Sequence, residues 1–311
     1  MALLRRLKKS MLVQYQRFGH FDEHLVSLYS LVYGDPYIYK DTYLVYYDKY
    51  SRILYLSLFE LNGNENKLKC IQTATKLFKP DLLIITSPQE LPINLEGFHC
   101  RKVDYDKDYQ IHVADFDETL KGGKFKQLRY RVHNAEKRGY SMKVGKKMTP
   151  AHLHIIAQHE QTKKLDLYDS QLYLGIWEYL RKFKSPLLFN VFAKNTLIGF
   201  DLVDFFKDTM TIPLGFYTAA PSLADFILHR EVQYAKQRGC EWLDLGWACG
   251  AGVEEFKKKW MAMPRFQIWA YEYSNCNLAP ELSFQKKVTL DFREIRPKEP
   301  VTPHLLTPQP Q

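Results

Sequence analysis

Five cysteines in 311 residues, Cys70, Cys100, Cys240, Cys249 and Cys276, are odd in number and widely scattered. No CxxC pair occurs and no Cys/His cluster has zinc spacing, so neither a disulfide framework nor a structural metal is supported. Free thiols fit a reducing compartment, and the cytoplasm is the expected location. Long apolar runs are also missing. The longest uncharged run, between Asp208 and Asp225, carries Pro213, Pro221 and several polar residues. A membrane span needs about 20 mostly apolar residues, so a soluble chain is expected. The first twenty residues place a charge every few positions, unlike a secretory signal. A hydrophobic content of 46% with 25% charged residues excludes disorder throughout, and the length allows roughly two domains.

Acidic residues are almost absent from one stretch. Between 121 and 148 ten lysines and arginines stand against Glu136 alone, a local charge of +9 that equals the net charge of the whole chain. A field focused in this way attracts an anion such as a phosphate on a lipid, a nucleotide or RNA. Phe125, Leu128, Val132 and Ala135 recur at helical spacing, with Lys124, Gln127, Arg131, Asn134 and Arg138 on another face. The pattern predicts a helix packed on one side and cationic on the other.

Around that helix the elements alternate. Strands are expected at 43–47, 53–58 and 82–86, with a helix over 66–78 and a strand-rich region to about 115. A strand is expected over 141–146. Thr149-Pro150 opens a helix over 152–164, and a second helix runs near 171–183. Strands at 187–193, 197–206 and 209–217 follow, then a helix from Pro221 to Gly239, a strand at 242–247, a helix at 253–261 and a strand at 266–273. Such an order predicts an α/β mixed sheet with helices on both faces. The first half repeats the middle of this order. Leu3, Leu4, Leu7 and Met11 suggest an amphipathic helix over 1–20 that could lie on an anionic membrane surface. The proline-rich tail from Arg296 is expected to be extended or disordered.

The run LKGGKFKQLRYRVHNAEKRGY (120–140) resembles the basic junction helix of proteins with two tandem GNAT (Gcn5-related N-acyltransferase) domains, such as the Fem aminoacyltransferases and the phosphatidylglycerol lysyltransferase catalytic domain. The run from Leu223 to Pro264 resembles the end of their second domain, a helix closing on Gly, a strand reading DLG, then a helix with FK-x-x-W. The resemblance implies a GNAT-like domain at 1–120, a basic junction at 121–148, a second such domain at 149–290 and a tail at 291–311. It also implies N-acyl transfer, with the donor entering where strands 209–217 and 242–247 splay apart, near Gly215, Phe216 and Tyr217. Acyl-CoA users carry Q/R-x-x-G-x-G/A after the first of these strands, so that backbone amides can approach the pyrophosphate. Here the segment reads Thr218-Ala219-Ala220-Pro221-Ser222-Leu223-Ala224, without glycine. The Fem and lysyltransferase proteins that the chain resembles also lack this loop and take their acyl group from aminoacyl-tRNA. The resemblance therefore implies that donor, with no other cofactor, and acyl-CoA is the alternative. A non-catalytic protein that binds RNA or anionic lipid is the alternative of another class.

Acyl transfer needs a base and a group facing the oxyanion. The resemblance points to Lys257 for the oxyanion, since Fem-type enzymes carry a functional lysine on this helix. Asp244 is a candidate base and Tyr217 a candidate proton donor. Lys124, Arg131 and Arg138, with the backbone at Gly215 and Phe216, are the expected donor and phosphate contacts. The partners that follow are tRNA or another phosphate-bearing anion, with peripheral contact to the inner face of an anionic membrane. Asp201 and Asp204 are three apart on one strand, so at most one lines the cleft. His229 and Glu231 sit on the helix after the donor loop, with His229 near its apolar face. Cys249 lacks a neighbouring base. His152, His154 and His159 lack the spacing of a chelating pair, and no metal is expected.

Overall fold

The computed structural model describes residues 4–8, 33–60, 65–91, 94–162, 167–248 and 250–276. The chain divides into a compact unit, Met1–Leu278, and a second unit, Ala279–Gln311, which lies outside the described residues together with Cys249 and the proline-rich tail.

The described residues form twelve strands, some alternating and some buried on both faces: β1 (Leu4–Arg6), β2 (Asp35–Tyr39), β3 (Tyr43–Asp48), β4 (Ile53–Ser57), β5 (Leu82–Ser87), β6 (Phe98–His112), β7 (Tyr140–Gly145), β8 (Leu187–Ala193), β9 (Thr196–Phe206), β10 (Thr209–Tyr217), β11 (Trp242–Trp247) and β12 (Met263–Asn275). Helical periodicity gives α1 (Lys67–Phe78), α2 (Lys126–Lys137), α3 (Pro150–Thr162), α4 (Leu167–Lys182), α5 (Leu223–Gln237) and α6 (Ala251–Lys259). Asn66 caps α1 by accepting from the Lys69 amide at 2.9 Å. Among the described helices none is long and apolar enough to cross a membrane.

All twelve strands join in one sheet of order β1-β2-β3-β4-β5-β12-β6-β11-β10-β9-β8-β7. Each outer half is an antiparallel meander ending in one parallel pair, β4–β5 in the first half and β10–β11 in the second. The two central strands are exchanged: β12 completes the first half beside β5, and β6 completes the second beside β11. They pair antiparallel with each other from Phe98 to Gln110. Strand polarity is thus the same read inward from either edge, the signature of two GNAT-like domains in tandem. The repeat inferred from element order appears here in the hydrogen bonding.

Expected and observed elements agree closely from β3 onward, and β2 has no counterpart among the expected elements. At the start of the chain they differ. Leu4–Arg6 form a strand on β2 rather than the first turn of an amphipathic helix. Arg5 and Arg6 are held by Asp41 at 2.7 Å and Asp35 at 2.6 Å, so neither presents a free cation to a membrane. The other residues of that expected helix lie largely outside the described ones.

The core continues across both halves. On one face α1 covers the first half, where Cys70, Ile71 and Ala74 meet Val45, Leu56 and Ile85. On the same face α2 and α5 cover the second half, around Leu128, Val132, Phe226 and Leu243. The opposite face of the second half carries α3 and α4 over Phe200, Leu202 and Phe216.

Candidate active site

The parallel pairs of the two halves differ in one respect that matters for chemistry. In the first half β4 and β5 stay paired over five residues, and Leu58 N still donates to Thr86 O at 2.8 Å beyond them. In the second half β10 and β11 pair only at Thr209/Trp242, Met210/Leu243 and Thr211/Asp244. Beyond this point they part. A register shift between Thr211 and Leu214 spans Pro213, which has no N–H to offer a neighbour. On the other strand Gly246 takes φ +69°, which turns the end of β11. The gap is therefore built by residue types that end a ladder.

Main-chain groups face this gap. Thr218 N donates to Ile198 O at 3.0 Å, which makes that rung a hydrogen-bonded one. Alternation along an antiparallel ladder then makes Phe216/Phe200 and Leu214/Leu202 bonded rungs. The N–H groups of Gly215 and Tyr217 consequently point away from β9, into the gap. The Phe216 side chain goes the other way and is buried against Phe200 and Tyr173, so the apolar core rather than a donor contacts it.

A buried acid cluster borders the same strand. Asp201 on β9 lies opposite Gly215, and Tyr217 Oη donates to its Oδ1 at 2.5 Å. Glu231 reaches from α5 to share a hydrogen bond with Asp201. Two carboxyls in such contact require a proton between them. Burial pushes Asp201 up to about 7 against the hydrogen bonds from Glu231 and Tyr217. Glu231 is driven well above the carboxyl range by burial and by the charge of Asp201, so the pair retains a proton between its two carboxyls. Burial and the two acids also raise Tyr217. Gly215 makes room for the cluster: a Cβ there would meet Asp201 Oδ1 at 2.4 Å and Tyr217 Oη at 2.6 Å. Asp204 faces α4 instead, where Tyr179 donates to it, as the strand parity required.

Asp244 stands at the last rung before β11 parts from β10. Its Oδ1 accepts from Gly246 N at 2.8 Å, and it shares a carboxyl–carboxyl hydrogen bond with buried Asp108 of β6. Burial raises it to about 7, against the Gly246 amide and the charges of Lys257 and Arg265. Lys257 is buried to 5% exposure, and its ammonium donates to the carbonyls of Leu245 and Gly246 at 2.7 Å each and to that of Trp247. All three ammonium hydrogens are thus spent on the end of β11. The lysine expected to face the oxyanion is held against the end of β11, where it fixes the strand at the gap. Lys258 pairs with Glu254 on the helix surface at 2.7 Å.

The cationic contacts are distributed differently from expectation. Arg131 is held 3.2 Å from buried Asp225, in the first turn of α5, which also accepts Lys259 at 2.5 Å and the Trp260 indole at 3.0 Å. Arg131 is thereby a structural tie between α2 and α5. Lys124 lies over the Phe125 ring at 4.8 Å and is exposed. Arg138 is exposed at the end of α2. His229 donates through Nε2 to Glu118 O at 2.7 Å, its Nδ1 is buried without a hydrogen-bond partner among the described residues, and burial lowers its pKa. His152 is likewise buried between Thr149 and Asn190. Among the described residues no group of three or more His, Cys, Asp or Glu is arranged to hold a metal.

A mixed sheet whose parallel strands part in one half, with the Gly215 and Tyr217 amides turned toward the opening and a raised carboxyl beside it, is the tandem GNAT fold of an acyltransferase. The chain belongs to the family "Phosphatidylglycerol lysyltransferase, C-terminal", whose profile matches residues 82–274 and so spans every site residue above. Among solved structures it is similar to a conserved protein of unknown function from Bacteroides thetaiotaomicron, with 14% identity, TM-score 0.60 and coverage of 87% of this chain and 99% of that one. It is also similar to L-PGS from Bacillus licheniformis, with 16% identity, TM-score 0.55 and coverage of 89% and 95%. A tandem GNAT protein from the clavulanic acid biosynthesis pathway gives 10% identity, TM-score 0.58 and coverage of 89% and 99%. At such identities these likenesses establish the fold. Among curated proteins none matches the sequence.

Proposed function

We propose that this acyltransferase moves an aminoacyl group from aminoacyl-tRNA to an amine or hydroxyl acceptor, with a lipid headgroup as the first acceptor to test. The observation that carries the reading is the start of α5 beside the open gap. In a CoA user this turn receives the pyrophosphate, but here Pro221 removes an amide, Ser222 occupies the left-handed region at φ +63°, and Asp225 places a carboxylate in the first turn. The gap can accept an acyl ester while its phosphate end is poorly suited to CoA.

The residues divide the work as follows. The acceptor lone pair attacks the ester carbonyl, and the amides of Gly215 and Tyr217 receive the oxyanion. The acceptor proton passes to Tyr217 Oη as that hydroxyl gives its own to Asp201. Collapse breaks the bond to the tRNA ribose oxygen, and the same relay returns the proton to it. Lys257 and Asp244 keep the end of β11 away from β10. Exposed cations flanking α2, Lys124 just before it and Arg138 just after it among them, attract the RNA, and anionic lipid brings the acceptor to the same face of the cell membrane.

Transfer of labelled amino acids from bulk aminoacylated tRNA, with phosphatidylglycerol vesicles or small amines as acceptors, tests the reading against acetyl-CoA as donor. Labelled acceptor is expected, and its formation is abolished when the donor is treated with ribonuclease beforehand. Turnover with acetyl-CoA and none with any aminoacyl-tRNA would overturn the donor assignment and leave the acyltransferase class intact.

A further inference from the structure

The outward side of α2 carries more than charge. Its buried stripe, Phe125, Leu128, Val132 and Ala135, fixes which side faces solvent. At 100° per residue Tyr130 lies opposite that stripe. Tyr130 is 65% exposed, against a helix whose other apolar residues are buried. Lys126, one turn before it, and Lys137, two turns after it, are exposed on the same side and form no ion pair among the described residues. An exposed aromatic ring between cations costs solubility without adding to the core. It suits a ligand with both a π-face and phosphates.

We propose that Tyr130 is a stacking platform for an unpaired nucleobase, with Lys126 and Lys137 holding the flanking phosphates. This inference rests on the tRNA reading above and refines it: α2 receives a single-stranded portion of the RNA, a terminus or loop, rather than a paired stem. Duplex RNA presents its phosphates to cations but keeps its bases stacked inside, so the ring would then have no counterpart. A membrane surface would use the cations and leave the aromatic stack without a base.

The test measures equilibrium binding, at one fixed low salt concentration, to two fluorescent RNA probes: a blunt hairpin and the same hairpin with a four-nucleotide 3′ overhang. Wild type should prefer the overhang probe. Tyr130→Ala should lose about fivefold or more in affinity for that probe and little for the blunt one. Tyr130→Phe should keep the preference, since it keeps the ring. Lys126→Glu with Lys137→Glu should weaken both probes. Equal affinity of wild type and Tyr130→Ala for the overhang probe, with the charge variant weakened, would overturn the stacking assignment but retain RNA on α2. No binding of either probe by wild type would overturn the tRNA reading itself. Phosphatidylglycerol vesicles run in parallel would then reveal a lipid surface if the charge variant lost them.

Discussion

Tyr217 Oη lies 2.5 Å from Asp201 Oδ1, directly above the Cα hydrogens of Gly215, which faces Asp201 across the β9–β10 ladder. Three residues from two strands therefore share a volume that only a glycine leaves open. Gly215→Ala is expected to push the tyrosine and the carboxylate apart. Turnover should fall about tenfold or more, because a displacement near 1 Å at reacting groups is enough for a loss of that order. Steady-state kinetics with thermal unfolding in parallel checks it. A variant as active as wild type would remove the cluster from the chemistry.

The raised acids predict the direction of two pH profiles. Asp201 titrates near 7 in the folded chain and near 4 when unfolded, so between those values the folded state binds the extra proton. Its contribution to stability is present below the unfolded value and is lost as pH rises toward 7. Asp201→Asn should flatten that part of a melting-temperature profile. Activity runs the opposite way, since the relay needs ionised Asp201, and kcat should rise through about pH 7. An activity profile flat from pH 5.5 to 8 would exclude Asp201 as the proton acceptor.

Lys257 gives a prediction about stability rather than rate. Lys257→Met leaves three strand-end carbonyls without a donor and removes a charge that helps keep Asp244 ionised. A loss on the order of 2–4 kcal/mol is expected. Denaturant unfolding measures it. Wild-type stability with turnover abolished would instead return the lysine to the oxyanion role that its place in the sequence suggested.

These outcomes show which parts of the molecule could be read from sequence. Strand parity alone separated Asp201 from Asp204, and the apolar spacing of Phe125, Leu128, Val132 and Ala135 located the buried side of α2. Both are local regularities. The dyad was hidden because Glu231 comes from a helix thirty residues further on, and nothing in either segment marks the pairing. Lys257 was singled out from three consecutive lysines, but the carbonyls it meets lie at the end of β11, and nothing beside it in the sequence marks that contact. At the start of the chain, leucine spacing suggested a helix over residues that pair with β2 instead. A neighbouring strand edge outweighed a short periodic pattern.

Arg131 lies on α2 and Arg138 caps its end, and a charge-reversal scan would treat them alike. The structure separates them. Arg131→Glu would set a carboxylate against Asp225, a buried acid already holding Lys259 and the Trp260 indole. Two acids would then compete at the start of α5, where α2 and α5 meet. Stability should fall by about 1–3 kcal/mol, and any loss of RNA affinity would be confounded by it. Arg138 is exposed, so Arg138→Glu should change stability by no more than about 0.5 kcal/mol. Any loss of RNA binding in that variant, with a reduced salt dependence, reports contact with phosphate directly. Thermal unfolding of both variants beside binding isotherms at two salt concentrations distinguishes the cases. Equal stability of the two would mean that the Arg131–Asp225 pair does not tie the helices together, and Arg131 would return to the set of residues that face the RNA.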